Sequence, residues 1–309
     1  MDFEKIGLKA LEAAYVKQVE LSNNGTIGLR VSKGTGGDTS LRGDIESESE
    51  VIKVLAEKNF PAIIYAEEHC AWKPMRIGTD DPKYLVVIDG FDGSSALAKN
   101  PKSRGGTMLA IAKNPNPQYK DFLFGGITDF STNRIIYSLR ERAVFLNTYD
   151  DKKTGAKLES RLLQSLNMSR LNAETKIHLD DPEYWKDYAE GITSQLDDIS
   201  MVTRENFTKK LEGKVKVSGL NSSGAMCMDL VIGKVDAICG VSAKGVFEQP
   251  AEYPIIRILN GTIADYSGKD IGDDYWLIDR ESHKKNPVPS LRASSHYLAM
   301  EILKYVKSN

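Results

Sequence analysis

The run Tyr84–Ser95, YLVVIDGFDGSS, limits what this chain can fold into more than any other stretch. Tyr84 to Ile88 is an unbroken apolar run, too short for a helix, and it reads as a buried strand. It ends in an acidic turn, with Asp89 at the strand end and Asp92 three residues on, and Gly93-Ser94-Ser95 then open a helix start. Two carboxylates at that spacing can bridge a hard cation, which prefers oxygen ligands. Backbone N–H groups at Gly93, Ser94 and Ser95 would face a phosphate, helped by the positive end of the helix dipole. A plain surface turn is the competing reading, because Asp, Gly and Ser are turn formers.

The surrounding chain alternates between the two periods of secondary structure. Residues 2–22 have a helical stripe of Phe3, Ile6, Ala10, Ala13 and Ala14. A glycine-rich loop or hairpin, Ser32 to Asp44, follows it. A second helix is predicted from Ile45, with Asp44 as its N-cap and Ile45, Ile52, Leu55 and Ala56 on its buried face. AIIYA is a short strand ending in Glu67 and Glu68. After the acidic turn, strands are expected around 108–112, 124–129, 134–138 and 144–147. Asp150 to Asn172 is polar and divides the chain into subdomains 1–150 and 151–309. The second half predicts a helix at 225–232, a strand at 235–239, a helix at 251–259, a turn at Asn260-Gly261 and a closing helix at 294–306. The pattern is a layered α/β fold.

Composition closes off other classes. The 309 residues are 41% hydrophobic and carry a formal net charge of −2. No Lys/Arg-rich run invites nucleic acid or a membrane surface, and no apolar run approaches the roughly 20 residues that span a bilayer. Cys70, Cys227 and Cys239 are far apart and form no C-x-x-C pair, which argues against zinc or a disulfide framework and for a reducing cytoplasm. The four histidines and three tryptophans show no ligand spacing.

The spacing of the acidic turn separates two phosphatase chemistries. The haloacid-dehalogenase signature spaces its aspartates D-x-D-G-T, whereas two residues stand between Asp89 and Asp92 here. Asp89-Gly90-Phe91-Asp92-Gly93-Ser94-Ser95 instead resembles the D-P-[ILF]-D-G-[TS]-x motif of the inositol monophosphatase and fructose-1,6-bisphosphatase superfamily, whose members are lithium-sensitive. Other segments resemble that family in the same order. Asp38 to Asp44 falls at its D-x-V-T-x-x-D segment, with Lys33 upstream, and Ala66-Glu67-Glu68 at its G-E-E. Phe124–Ile127 and Ala143–Asn147 fall at its G-V-x and G-A-F-x-N strands. Phe247–Ala251 stands at W-D-x-A-A, Leu259–Asp265 at A-G-G-x-v-x-D, and Arg292–Ser295 at the final strand and helix. Two departures stand out. Gly90 replaces a proline, which reads as a loosened turn, and Glu248 replaces an aspartate that ligates metal in the family, with Glu252 as a rival ligand.

The resemblance implies an alternating α/β/α/β sandwich of two tightly packed subdomains. It implies a Mg²⁺-dependent phosphomonoesterase that hydrolyses inositol monophosphate, fructose 1,6-bisphosphate or a related ester with metal-activated water. Two or three Mg²⁺ ions would be held by Glu67, Asp89, the Phe91 carbonyl, Asp92 and Glu248. Asp44 and Ser94 would orient and deprotonate the attacking water, beside Glu67. Gly93, Ser94, Ser95, Ser222, Ser223 and Lys244 would contact the ester, although Ser222 and Ser223 read equally as an N-cap. No acid stands at Gly240 or Val241, where animal enzymes bind an inositol hydroxyl, and this leaves the bisphosphate open. The family is commonly dimeric, so a homodimer is expected. A 3′-phosphoadenosine nucleotide phosphatase and a catalytically silent phosphoester-binding regulator are the alternative readings.

Overall fold

Strand β5 (Tyr84–Asp92) is buried along nearly its whole length because helices cover both of its faces. Val86 and Ile88 pack into one apolar cluster and Leu85 and Val87 into another, as the period-2 alternation of a strand requires. A computed structural model of the chain describes residues 2–33, 39–71, 73–100, 103–139, 142–150, 156–166, 170–180, 215–220, 222–240, 246–277 and 290–307. Asp38, Trp72, Trp185, Asn221, Lys244 and His283 lie outside them.

The first sheet has eight strands in the order β10-β9-β8-β7-β6-β5-β3-β4. They are β3 (Ala62–Ala66), β4 (Met75–Ile77), β5, β6 (Gly106–Ala112), β7 (Phe122–Asp129), β8 (Arg134–Leu139), β9 (Ala143–Tyr149) and β10 (Lys157–Leu163). Only β3 and β5 run parallel, with Ala66 opposite Ile88. Strand β10 pairs with β9, so this sheet continues past residue 150. A small antiparallel hairpin, β1 (Arg30–Lys33) with β2 (Thr39–Leu41), precedes it.

Helices α1 (Phe3–Asn23) and α2 (Arg42–Glu57) cover one face of this sheet. Helices α5 (Ser223–Val231) and α6 (Gln249–Ile258) cover the other, after the short α3 (Glu67–Cys70) and α4 (Ser94–Lys99). Helix α6 lies directly on β7, since a Cβ on Gly125 would stand 2.1 Å from the Ala251 carbonyl oxygen. The second sheet has five strands, ordered β12 (Lys216–Leu220), β11 (Lys176–Asp180), β13 (Ala237–Gly240), β15 (Ser290–Ala293) and β14 (Thr262–Asp265). Ile238 and Ile263 point toward α5 and α6, whereas Ala237, Cys239, Leu291 and Ala293 pack under α7 (His296–Lys307). The expected α/β/α/β alternation is therefore present, and α7 adds a helical layer on the outer face of the second sheet.

The expected helices and strands are present with shifted ends, and two local readings are corrected. Helix α2 begins at Arg42, so Asp44 is its third residue and not its N-cap. Its Oδ2 accepts the Leu41 N–H at 2.6 Å, reaching back as an acid does in a capping box. The buried stripe of α2 is Asp44, Ser47, Glu48, Val51, Val54 and Leu55, whereas Ala56 is exposed. Cys70, Cys227 and Cys239 are buried free thiols. No helix among the described residues is long and apolar enough to cross a membrane.

Candidate metal centre

Three carboxylates that are far apart in sequence meet beside the end of β5. One oxygen each of Asp89, Asp92 and Glu248 lies within 4.8 Å of the others, and all three residues are buried. Asp89 and Asp92 come from β5, whose pairing with β6 is irregular between them. Glu248 precedes the first turn of α6 with φ −85° and ψ −45°. The layered fold thus brings α6 back to a strand end about 150 residues earlier.

Glu67 opens α3 right after Ala66, the β3 partner of Ile88, and so it flanks Asp89 from the neighbouring strand. Asp44 enters from the first turn of α2. Its carbonyl oxygen would be 2.2 Å from a Cβ on Gly90, so the glycine permits backbone contact between α2 and β5. This corrects the reading of Gly90 as a loosened turn. The Gly90 carbonyl accepts the Thr107 hydroxyl at 2.9 Å and the Gln18 side-chain amide at 3.4 Å. Gly93 has φ +95° and caps α4, leaving Ser94 half-buried and Ser95 exposed.

Ser222 and Ser223 hold acids in place. The Ser222 hydroxyl donates to Asp92 Oδ2 at 2.5 Å and accepts the Ala225 N–H at 3.1 Å, while the Gly224 N–H donates to the same Asp92 oxygen at 2.7 Å. The Ser223 hydroxyl donates to Glu252 at 2.8 Å. Glu252 is tied to the buried Arg292 at 2.7 and 2.8 Å and lies outside the cluster, although its charge still acts on Asp92 and Glu248.

Sequence reasoning passed over Arg104, Gln18 and Glu48. Arg104 bonds Asp129 and Asp229 at 2.7 Å each and the Ala225 carbonyl at 3.3 Å, joining α5 to the first sheet. Burial opposes ionisation of Asp229, but bonds from His178 and Arg104 outweigh it and hold the carboxyl below its usual range.

Among the described residues, no cation is among the groups that most shift Asp89, Asp92 or Glu248. Burial raises the Asp89 carboxyl well above its ordinary value, and the carboxylates of Glu67, Asp92, Glu248 and Asp44 raise it further. Burial followed by Asp92 and Glu67 does the same to Glu248. Asp92 is raised mainly by burial, against the bonds from Ser222 and Gly224. Around one Mg²⁺, with ligands at about 2.0–2.1 Å, oxygens stand roughly 3–4 Å apart, so three donors within 4.8 Å of one another are close enough to serve one ion after a small adjustment. A buried all-oxygen set of three carboxylates fits a hard divalent cation.

Asp44 gives a pH test of this charge. Burial moves its carboxyl from 3.8 to about 8, against the Leu41 N–H bond, with Glu68, Glu67 and Glu48 adding to the rise. A carboxyl raised on folding contributes stability that is complete below its unfolded value and lost as pH climbs through the folded one. Thermal melts in chelator should therefore show the metal-free protein losing stability between about pH 4 and pH 8. Asp44→Asn should flatten that slope. A wild-type profile level across the window would contradict the burial of this charge.

The layered α/β fold with a buried acidic cluster at the end of a strand defines a class. The chain has the fold of the inositol monophosphatase and fructose-1,6-bisphosphatase structures. It superposes on the extragenic suppressor protein suhB of Bartonella henselae with TM-score 0.68 and 13% identity, covering 99% of this chain and 98% of that one. Fructose-1,6-bisphosphatase of Leishmania major in its holo form gives 0.69 and 12%, covering 98% and 94%. Inositol monophosphatase II of Staphylococcus aureus gives 0.67 and 14%, covering 99% and 94%. No protein-family model and no curated protein sequence matches the chain.

Proposed function

We propose that this chain is a Mg²⁺-dependent phosphomonoesterase of the inositol monophosphatase and fructose-1,6-bisphosphatase superfamily, acting on a small sugar or polyol phosphate. The observation that carries the reading is the meeting of Asp89, Asp92 and Glu248 in a buried all-carboxylate cluster. Phosphatases stand among the proteins that share its fold. We assign Asp89, Asp92 and Glu248 as ligands, with Glu67 and the Phe91 carbonyl completing the set. A divalent ion bound there would neutralise the ester's charge and make water a competent nucleophile at neutral pH.

The chain's own groups account for the remaining needs of the reaction. We assign Asp44, whose charge acts on Asp89 from α2, and Ser94, the first residue of α4, to orienting the attacking water and taking its proton. The amides of Gly93, Ser94 and Ser95 are assigned to the phosphoryl oxygens. The hydroxyls of Ser222 and Ser223 are already engaged with Asp92 and Glu252, so we assign these two to support of the site and not to the polyol.

Phosphate release from inositol monophosphate, fructose 1,6-bisphosphate and a 3′-phosphoadenosine nucleotide, with Mg²⁺ and with chelator, tests the reading. Release from either sugar ester that stops in chelator is expected. Release from the nucleotide alone would move the substrate class. Mg²⁺ binding without any release would favour a silent phosphoester-binding protein.

A further inference from the structure

Helix α3, which presents Glu67, has no capping side chain of its own. Ala66 precedes it in extended conformation, with φ −132° and ψ 129°. The first amides of a helix need acceptors from elsewhere. Glu48, on α2, supplies them. Its Oε1 accepts the Glu68 N–H and its Oε2 the His69 N–H, both at 3.0 Å, and the His69 Nδ1 stands 2.5 Å from Oε2. The Glu48 side chain is fully buried, and a carboxylate in that setting is tolerated only when so bonded. In effect α3 is capped by a second helix.

The geometry links this cap to the acidic cluster. Asp44 and Glu48 lie one turn apart on the same buried face of α2. One face therefore places Asp44 against Gly90 and fixes the turn that bears Glu67. Among the neighbouring charges acting on Asp89, that of Glu67 is the strongest. Ser40 steadies the same turn by donating to the Glu68 carboxylate.

We propose that Glu48 is a positioning residue that sets Glu67 against Asp89 by capping α3, and thereby sets the affinity of the cluster for a divalent cation. Glu48 itself touches neither ion nor substrate. The inference rests on the metal site proposed above, and its test keeps the two apart. Mn²⁺ serves as the probe, with binding to the purified full chain followed by the electron paramagnetic resonance of free Mn²⁺ and by calorimetry. Wild type should bind and Asp89→Asn should not.

Glu48→Gln keeps the size of the side chain but leaves one acceptor oxygen and turns an amino group toward the amides. It should weaken Mn²⁺ binding by about 10- to 100-fold, the range seen when groups that orient metal ligands are lost. Phosphate release at saturating Mn²⁺ should keep its kcat, and Ala66→Ser in the Glu48→Gln background should recover part of the affinity by capping α3 locally. Mn²⁺ binding of Glu48→Gln equal to wild type, with only its melting temperature lowered, would overturn the proposal and leave Glu48 a structural group. Absence of binding by wild type would overturn the metal reading and this inference with it. Should Glu48→Gln fail to fold, His69→Asn leaves the two backbone bonds to Glu48 in place and removes the ring's contacts with Glu48 and the exposed Ser49 hydroxyl. It should weaken binding in the same direction by a few-fold, and unchanged affinity would overturn the proposal.

Discussion

Asp89→Asn is expected to lower Mg²⁺-dependent phosphate release by roughly a thousandfold or more while raising the melting temperature of the metal-free protein. The two effects have one cause. Asp89 is buried among Glu67, Asp92, Glu248 and Asp44, so its ionised form is repelled from several sides. An amide removes one of those charges, relieves the repulsion, and still offers an oxygen to the Phe91 N–H that now bonds Oδ1 at 2.9 Å. The fold keeps its bond and loses a penalty. Function takes the opposite turn. A neutral ligand binds a hard cation poorly, and losing the ion forfeits several kcal/mol of transition-state charge stabilisation, each 1.36 kcal/mol being about tenfold in rate. Melting curves in chelator and in Mg²⁺, alongside phosphate release, check both halves. Turnover by this variant at the wild-type rate would end the assignment of Asp89 as a ligand. A lower melting temperature in chelator would show that its charge is compensated after all.

The sequence legibly carried features that depend on short runs of chain. YLVVI reads as a strand buried on both faces, and β5 is one, because an uninterrupted apolar run has no polar face to give to water. The family resemblance named Asp89, Asp92 and Glu248 together, with Glu252 as a rival to the last, and the carboxylates of the first three meet. What stayed hidden is set by partners distant in sequence. Apolar periodicity put Ile45 and Ala56 on the buried face of α2, but the stripe that faces inward begins with Asp44 and Glu48. Two acids at the head of a buried stripe defeat any rule that equates burial with hydrophobicity. The same applies to Gly90, whose missing side chain is explained only by the Asp44 backbone across the site. Strand β4 is three residues long and, among the described residues, pairs with β3 alone, too little to leave a period in the sequence.

Glu248 and Glu252 lie one helical turn apart, yet their amide variants are expected to move stability in opposite directions. Glu252 is fully buried and bonds Arg292, which is 2% exposed, at 2.7 and 2.8 Å, and it accepts the Ser223 hydroxyl as well. Glu252→Gln strands a buried guanidinium and should cost about 3–5 kcal/mol of stability. The folded fraction should keep its Mg²⁺ affinity, because Glu252 stands outside the cluster. Glu248 has no cation for a neighbour among the groups that shift it most, and burial with Asp92 and Glu67 holds its carboxyl raised. Glu248→Gln should therefore stabilise the metal-free protein and lower phosphate release by about a hundredfold or more, as a neutral amide replaces an anionic ligand. Glu248→Asp keeps the charge and shortens the reach by one methylene, so part of the activity should survive with a weaker Mg²⁺ affinity, saturated only at higher concentration. Chemical denaturation in chelator, set beside Mg²⁺ titrations of phosphate release, reads both variants. If Glu248→Gln turns over like wild type while Glu252→Gln loses metal binding, the ligand is Glu252, and its ion pair with Arg292 must open when the cation enters.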